Sequence, residues 1–225
     1  MGYGIHWVTS QKVVAVGENL IIFSENAGGS WVEVMQKFEV RFNDVTFITE
    51  SIGVAVGDSG TIYRTTDGGK TWTNTAAKLT GLPKASWIPQ IQASKYDAGE
   101  AWIIANNYRN NDFSAYAYRT KNYGTSYERI ADDSKVWGYT LSIVQDPVEP
   151  NLVFLGTEYG LYVSFDNAKT WNQWRHGYPN AVSTYDMVIQ EREADLVIVT
   201  FVRSIYVLDD IRPLREFAKN MGKTP

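Results

Sequence analysis

Tyr63-Arg64-Thr65-Thr66-Asp67-Gly68-Gly69-Lys70-Thr71-Trp72 is the stretch that decides the fold, because its core, Thr65-x-Asp67-x-Gly69-x-Thr71-Trp72, occurs four times in the 225 residues. The other copies are Ser24-x-Asn26-x-Gly28-x-Ser30-Trp31, Thr120-x-Asn122-x-Gly124-x-Ser126-Tyr127 and Ser164-x-Asp166-x-Ala168-x-Thr170-Trp171. Recurrence at roughly 40–50 residues marks a repeat architecture in which each copy is one supersecondary unit. The chemistry of the motif is that of a tight hairpin. Asp or Asn turns its side chain back onto loop N–H groups, Gly supplies φ > 0 at low steric cost, and the hydroxyl residues cap what remains. The aromatic residue then opens the next strand by packing inward. Ala168 stands where the other copies have glycine, so its turn is expected to be strained or differently closed.

Working outward, each copy lies between the third and fourth of four short β-rich runs. The second unit reads Val45-Thr46-Phe47-Ile48, Gly53-Val54-Ala55-Val56-Gly57, Thr61-Ile62-Tyr63-Arg64 and Trp72-Thr73-Asn74. Ala15-Val16-Gly17 and Ala55-Val56-Gly57 are the same strand in successive units. Units of this size with four antiparallel strands match the blades of a β-propeller. The expected architecture is all-β: a single propeller over residues 1–217, of about five blades at 1–38, 39–80, 81–134, 135–180 and 181–217. The fifth unit has Asp209-Asp210-Ile211-Arg212-Pro213 in place of the motif, which leaves its fourth strand without a signature. Residues 218–225 are expected to be a tail or short helix. Either the ring closes as a monomer, or an open arc pairs with a second copy in a larger ring.

Composition removes whole classes of function. The net charge is −4 and no Lys/Arg cluster occurs, which argues against a nucleic-acid partner whose phosphates need neutralising. No apolar run reaches the ~18 residues of a spanning helix, and the N-terminus carries no signal-peptide pattern. There is no cysteine, so disulfides, thiolate metal sites and Cys nucleophiles are excluded. His6 and His176 fall in different units and do not form a metal site. No phosphate-cradling glycine loop is present, and no cofactor is expected.

The motif resembles the Asp-box, or BNR repeat, of sialidases, sortilin and several glycoside hydrolases, where it lies on the blade periphery away from the active site. The resemblance implies a structural role for Asn26, Trp31, Asp67, Gly69, Trp72, Asn122, Gly124, Tyr127, Asp166 and Trp171. From about Leu79 the chain is similar to the C-terminal blades of bacterial sortilin-like glycosyl hydrolases. The motifs concerned are Gly81-Leu82-Pro83, Tyr118-Arg119-Thr120-x-x-Tyr123-Gly124, Asp146-Pro147-x-x-Pro150-Asn151-Leu152, Gly156-Thr157-Glu158-x-Gly160-Leu161-Tyr162-Val163 and Ile205-Tyr206-Val207-Leu208-Asp209-Asp210. Members of that family are usually much longer, and they tend to carry His and glycines where this chain has Thr200-Phe201-Val202-Arg203-Ser204. The first two units resemble the Asp-box propellers of photosystem II assembly factors. These resemblances imply a secreted or periplasmic setting.

A propeller places ligands at the mouth of its channel, lined by the first strand of each blade. Aligning the units puts Gly4, Asp44, Gln90, Leu141 and Asp186 at one level. Asp44 and Asp186 are the carboxylates of that set and are candidates for the acid and base or nucleophile of glycoside hydrolysis. Their plainer alternative is to solvate a channel or cap strand ends. Trp7, Trp87, Tyr108, Trp137 and Tyr185 are candidate ligand-binding aromatics, as a sugar-stacking platform or as a peptide-binding surface. The expected function is a non-catalytic recognition or scaffold propeller that takes a carbohydrate or a protein or peptide ligand, a reduced or engineered fragment of a glycosyl-hydrolase-like protein. The alternative is a glycoside hydrolase acting on a polysaccharide.

Overall fold

The computed structural model of the chain describes residues 2–179, 181–201 and 204–221. Strands β1 (Gly2–Trp7), β2 (Val13–Ser24), β3 (Val32–Phe47), β4 (Gly53–Gly57), β5 (Ile62–Thr65) and β6 (Thr73–Asn74) follow one another in a six-stranded sheet. A second sheet holds β7 (Trp87–Ala93), β8 (Ala101–Asn107), β9 (Asp112–Thr120) and β10 (Glu128–Ala131). The third is β11 (Thr140–Gln145), β12 (Val153–Thr157), β13 (Gly160–Ser164) and β14 (Asn172–Trp174). Strands β15 (Thr184–Gln190), β16 (Asp195–Thr200) and β17 (Ile205–Leu208) make the last, and helix α1 (Arg212–Asn220) follows it. Neighbours in each sheet are consecutive in sequence and antiparallel, the up-and-down order of propeller blades.

The first sheet has six strands because β2 and β3 each carry two of the expected runs. The first half of β2 pairs with β1 and its second half with the start of β3, while Phe42–Phe47 of β3 pairs with β4. The chain changes direction between the halves at Asn19 (φ 60) and Glu39 (φ 66), both in the left-handed region. Asn enters that region more readily than most residues.

The core lies between neighbouring units, the first pair being the two halves of the six-stranded sheet. Val14, Val16, Ile21 and Phe23 pack on Val45, Phe47, Ala55 and Tyr63 in one buried cluster. Val54, Val56 and Ile62 pack on Ile91, Ile103 and Tyr118 in the next. Alternation along the strands explains this, since each inner strand sends successive residues to the blade before it and the blade after it.

The fifth unit departs from the others where its motif is missing. It has three strands, and α1 occupies the chain after them, starting at Arg212, earlier than the tail expected from Ala218. Pro213 sits in the first turn, where its missing N–H costs nothing. Ile211 and Ala218 are buried, and Leu214 packs on the same cluster. Arg215 Nε reaches the fully buried Asp146 at 3.1 and 3.0 Å, and Asp146 also accepts the N–H groups of Val148 and Glu149. The helix therefore ties the last sheet to the one before it.

Candidate functional site

The antiparallel meander gives the molecule two ends. At one end each Asp-box turn bonds to the turn between the first two strands of its own unit: Ala27 N to Gln11 O at 2.7 Å, Gly68 N to Ser51 O at 2.8 Å, Tyr123 N to Gly99 O at 2.9 Å and Asn167 N to Asn151 O at 3.0 Å. Inside each box the first hydroxyl donates to the Asp or Asn carbonyl-type oxygen, as Thr65 Oγ1 does to Asp67 Oδ1 at 2.8 Å. The same hydroxyl accepts the third-position N–H at 2.9 Å in all four copies, from Gly28, Gly69, Gly124 and Ala168. Ala168 closes the same turn as its glycine counterparts and does so at φ 61, a conformation that costs an L-residue roughly 1–2 kcal/mol.

Box carboxylates are spent on these bonds. The slight desolvation at Asp67 works to raise its pKa, but the Thr71 hydroxyl and N–H and the Thr65 hydroxyl outweigh it and bring the carboxyl to about 2. The box aromatics lean on neighbouring strands: Trp171 Nε1 donates to Ile130 O of the preceding sheet at 3.1 Å, and Trp72 meets Phe47 of its own unit edge-on at 6.1 Å. Trp31 differs from the inward packing expected for it: it is 41% exposed, and among the described residues no sheet covers its face.

At the other end a cavity of about 400 Å³ opens among the first strands, lined by Arg41, Asn43, Asp44, Trp87, Pro89, Gln90, Leu141, Ser142, Tyr185 and Asp186. A β-bulge builds it. All five first strands shift register at the same level, between Gly2/Gly4, Phe42/Asp44, Trp87/Gln90, Thr140/Ser142 and Thr184/Asp186. A bulge frees a backbone N–H from the ladder and re-aims a side chain, and Pro89 is tolerated there because a bulge asks no N–H of it. The freed groups are taken up by side chains. Asp44 accepts Val45 N at 2.8 Å with one oxygen and Ile91 N, on the next sheet, at 3.0 Å with the other. Gln90 Oε1 repeats the reach, accepting Ile143 N at 2.8 Å. Asp186 accepts Met187 N at 2.8 Å.

Burial pushes the Asp44 carboxyl up, its two N–H donors pull it down, and the charge of Asp186 adds to the rise, leaving it at about 6. A carboxyl near that value and a second, exposed carboxylate in one cavity have the elements of acid and base chemistry. Both oxygens of Asp44, however, are already engaged by backbone.

The candidate aromatics separate. Trp87 and Tyr185 line the cavity. Tyr108 lies beside it: the Arg109 guanidinium sits 4.0 Å over the Trp87 ring and 5.1 Å from the Tyr108 ring, and Tyr108 stacks on Tyr139 at 4.6 Å. Trp137 stacks on Tyr159 at 4.2 Å in a separate shallow pocket with Phe113 and Asp133. Trp7 is at the far end of β1, opposite Val13, toward the Asp-box turns and away from the mouth. His6 packs against Phe47 at 5.8 Å, with its pKa lowered by burial. Arg41, Asn43, Pro89 and the Arg109–Trp87 stack carry no motif, and only the alignment level of Asp44 and Gln90 pointed to their neighbourhood. Arg203 lies outside the described residues.

Residues 23–199 match the family model described as photosynthesis system II assembly factor YCF48, a span that includes all four boxes and runs into the fifth unit. No curated protein matches the chain. Among solved structures, a GH74 enzyme of Niastella koreensis superposes with a TM-score of 0.68 at 15% identity, over 91% of this chain and 35% of that one. A structure described as YCF48 bound to D1 peptide gives 0.61 at 17% identity, over 94% of this chain and 69% of that one. YCF48 from Cyanidioschyzon merolae gives 0.56 at 16% identity, over 92% and 72%. At these identities the structural likeness shows the propeller fold, and the chain spans about a third of the GH74 enzyme's length.

Proposed function

We propose, for a chain that belongs to the family of the photosynthesis system II assembly factor YCF48, that it is a non-catalytic recognition propeller binding an extended peptide segment of a protein partner across the cavity at the mouth. The observation that carries this is the state of Asp44. Its two oxygens hold the N–H groups of Val45 and Ile91, so it works as a tie between sheets. What the cavity then offers a ligand is the ring of Tyr185, the Trp87 ring backed by Arg109, and the polar side chains of Asn43 and Gln90. Aromatic anchors with a few convergent polar groups are what a peptide segment needs for contact area and for its backbone amides. A YCF48 structure described with a D1 peptide bound supports the class of ligand.

A library of fluorescent peptides tested by polarisation is expected to yield saturable binders. Tyr185→Ala and Trp87→Ala should each weaken them roughly tenfold or more. A polysaccharide panel run beside it covers the glycosidase alternative, which the shared cavity of Asp44 and Asp186 favours. Hydrolysis that disappears in Asp186→Asn, with no peptide bound, would replace recognition by catalysis.

A further inference from the structure

We infer that the pocket beside Trp137 is a subsite for a cationic side chain of the bound partner, the ammonium of a lysine or the guanidinium of an arginine. The inference rests on the peptide reading for what presents that side chain, and on residues outside the mouth cavity for the site itself. The pocket holds about 410 Å³. Phe113 at the start of β9, Trp137 and Gly138 ahead of β11, and Tyr159 in the β12–β13 turn wall it. Described strands of the second and third sheets therefore flank it on both sides.

The pocket is built on a fixed frame. Trp137 is 66% exposed, yet its main chain is pinned: its N–H donates to the hydroxyl of the buried Tyr162 at 3.1 Å. Its ring stacks on Tyr159 at 4.2 Å and 17°. Gly138 makes room for that stack. It sits at φ 81, and a Cβ there would come within 2.6 Å of the Tyr159 ring. Tyr159 thus covers one face of the indole and leaves the other to a ligand. Phe113, 51% exposed, meets Tyr139 at 6.3 Å, and Tyr139 stacks on Tyr108. Through Arg109 these rings connect the pocket to Trp87 at the mouth, so one extended ligand can reach both.

Charge decides what the pocket takes. Asp133 is the carboxylate on its wall. One oxygen accepts the N–H of Ala115 at 2.8 Å; among the described residues the other has no hydrogen-bond partner, and the group enters no ion pair. Glu158 packs against Gly138 with one carboxyl oxygen enclosed and unpartnered, and burial pushes its pKa up. No lining residue is cationic. Rings of the second sheet carry guanidinium groups instead: Arg109 lies 4.0 Å over Trp87, Arg129 4.3 Å over Tyr116, and Arg119 5.2 Å from Trp102. Among the described residues Trp137 has no such partner. An indole face attracts a cation more strongly than the other aromatic rings do, and a free carboxylate beside it adds a charge-assisted hydrogen bond.

Amide NMR of the 225-residue chain tests this with Nα-acetyl-lysine amide as the probe, read at the Gly138 N–H. A saturable shift is expected, repeated by Nα-acetyl-arginine amide and absent with the neutral Nα-acetyl-norleucine amide of similar shape. Trp137→Leu keeps apolar bulk without the π face, and Asp133→Asn keeps an oxygen for Ala115 N while losing the charge. Each should weaken binding roughly threefold or more. Both side chains are exposed, so both variants should keep the parent's thermal transition. If no peptide binds at the mouth but the lysine response is present, the recognition reading falls and the subsite stands. Peptides that bind equally well with their Lys and Arg replaced by norleucine would overturn the subsite alone. So would equal responses to the lysine and norleucine probes, a lysine response unchanged in both variants, or a response to cellotetraose in its place, which would make the pocket a sugar-stacking site.

Discussion

The two ends of the same strands treat their carboxylates in opposite ways. At the Asp-box end Asp67 is exposed, caught by local hydroxyl and N–H donors, and held at about 2. At the mouth Asp44 is desolvated, tied across to the neighbouring sheet, and raised to about 6. The box end repeats, and each of its turns is satisfied by its own residues. The mouth varies from blade to blade, and its side chains reach between blades or into the cavity. A repeat architecture thus places turn stability at one end and leaves the other free to diverge toward a ligand.

The largest effect separating the ends is expected at Arg215, on the helix that follows the last sheet and ties it to the one before. Its ion pair with Asp146 is almost fully enclosed, at 2.9 Å. Removing one partner of a buried pair leaves an uncompensated charge, so Arg215→Ala should cost roughly 3 kcal/mol in urea unfolding, with little change in ligand affinity. Thr65→Val comes next. It strips the buried Gly69 N–H of its acceptor, at about 1–3 kcal/mol. Thr65→Ser should restore most of that.

Smaller still are the pH effects, and they have opposite sign. Asp67 has a folded pKa below its unfolded value of ~3.9, so its contribution is present above that value and fades as pH falls toward about 2. Asp44 has a raised folded pKa, so its contribution is complete below ~3.9 and is lost as pH rises through about 6. Unfolding curves of Asp44→Asn between those limits should lose that decline with rising pH, while Asp67→Asn should flatten the acid limb. A common response of both variants would erase the contrast between the ends.

Much of the box end was legible because its chemistry is local: a hydroxyl, an Asp or Asn, a left-handed residue and an aromatic fall within eight positions. The mouth was legible only as a level. Gly4, Asp44, Gln90 and Asp186 align in sequence, but the bulge that frees Ile91 N and Ile143 N is a property of strand pairing, which no single strand records. Trp7 was placed with the ligand aromatics because it is large and on a first strand. Its distance along β1 from Gly4 carries it toward the other end, since strands rise about 3.3 Å per residue. The exposure of Trp31 depends on the packing of sheets, which its own motif does not record. The start of α1 was hidden because Asp209-Asp210-Ile211-Arg212-Pro213 carries no box, and Pro213 takes the first turn of the helix.

The division between a stability end and a recognition end is tested most directly by measuring unfolding and peptide affinity on the same two variants, Thr65→Val and Tyr185→Ala. Thr65→Val should lower stability and bind peptide as the parent does wherever it is folded. Tyr185→Ala should unfold like the parent, within roughly 0.5 kcal/mol for an exposed side chain, and lose peptide binding. Unchanged binding in Tyr185→Ala, or binding lost in folded Thr65→Val, would contradict it.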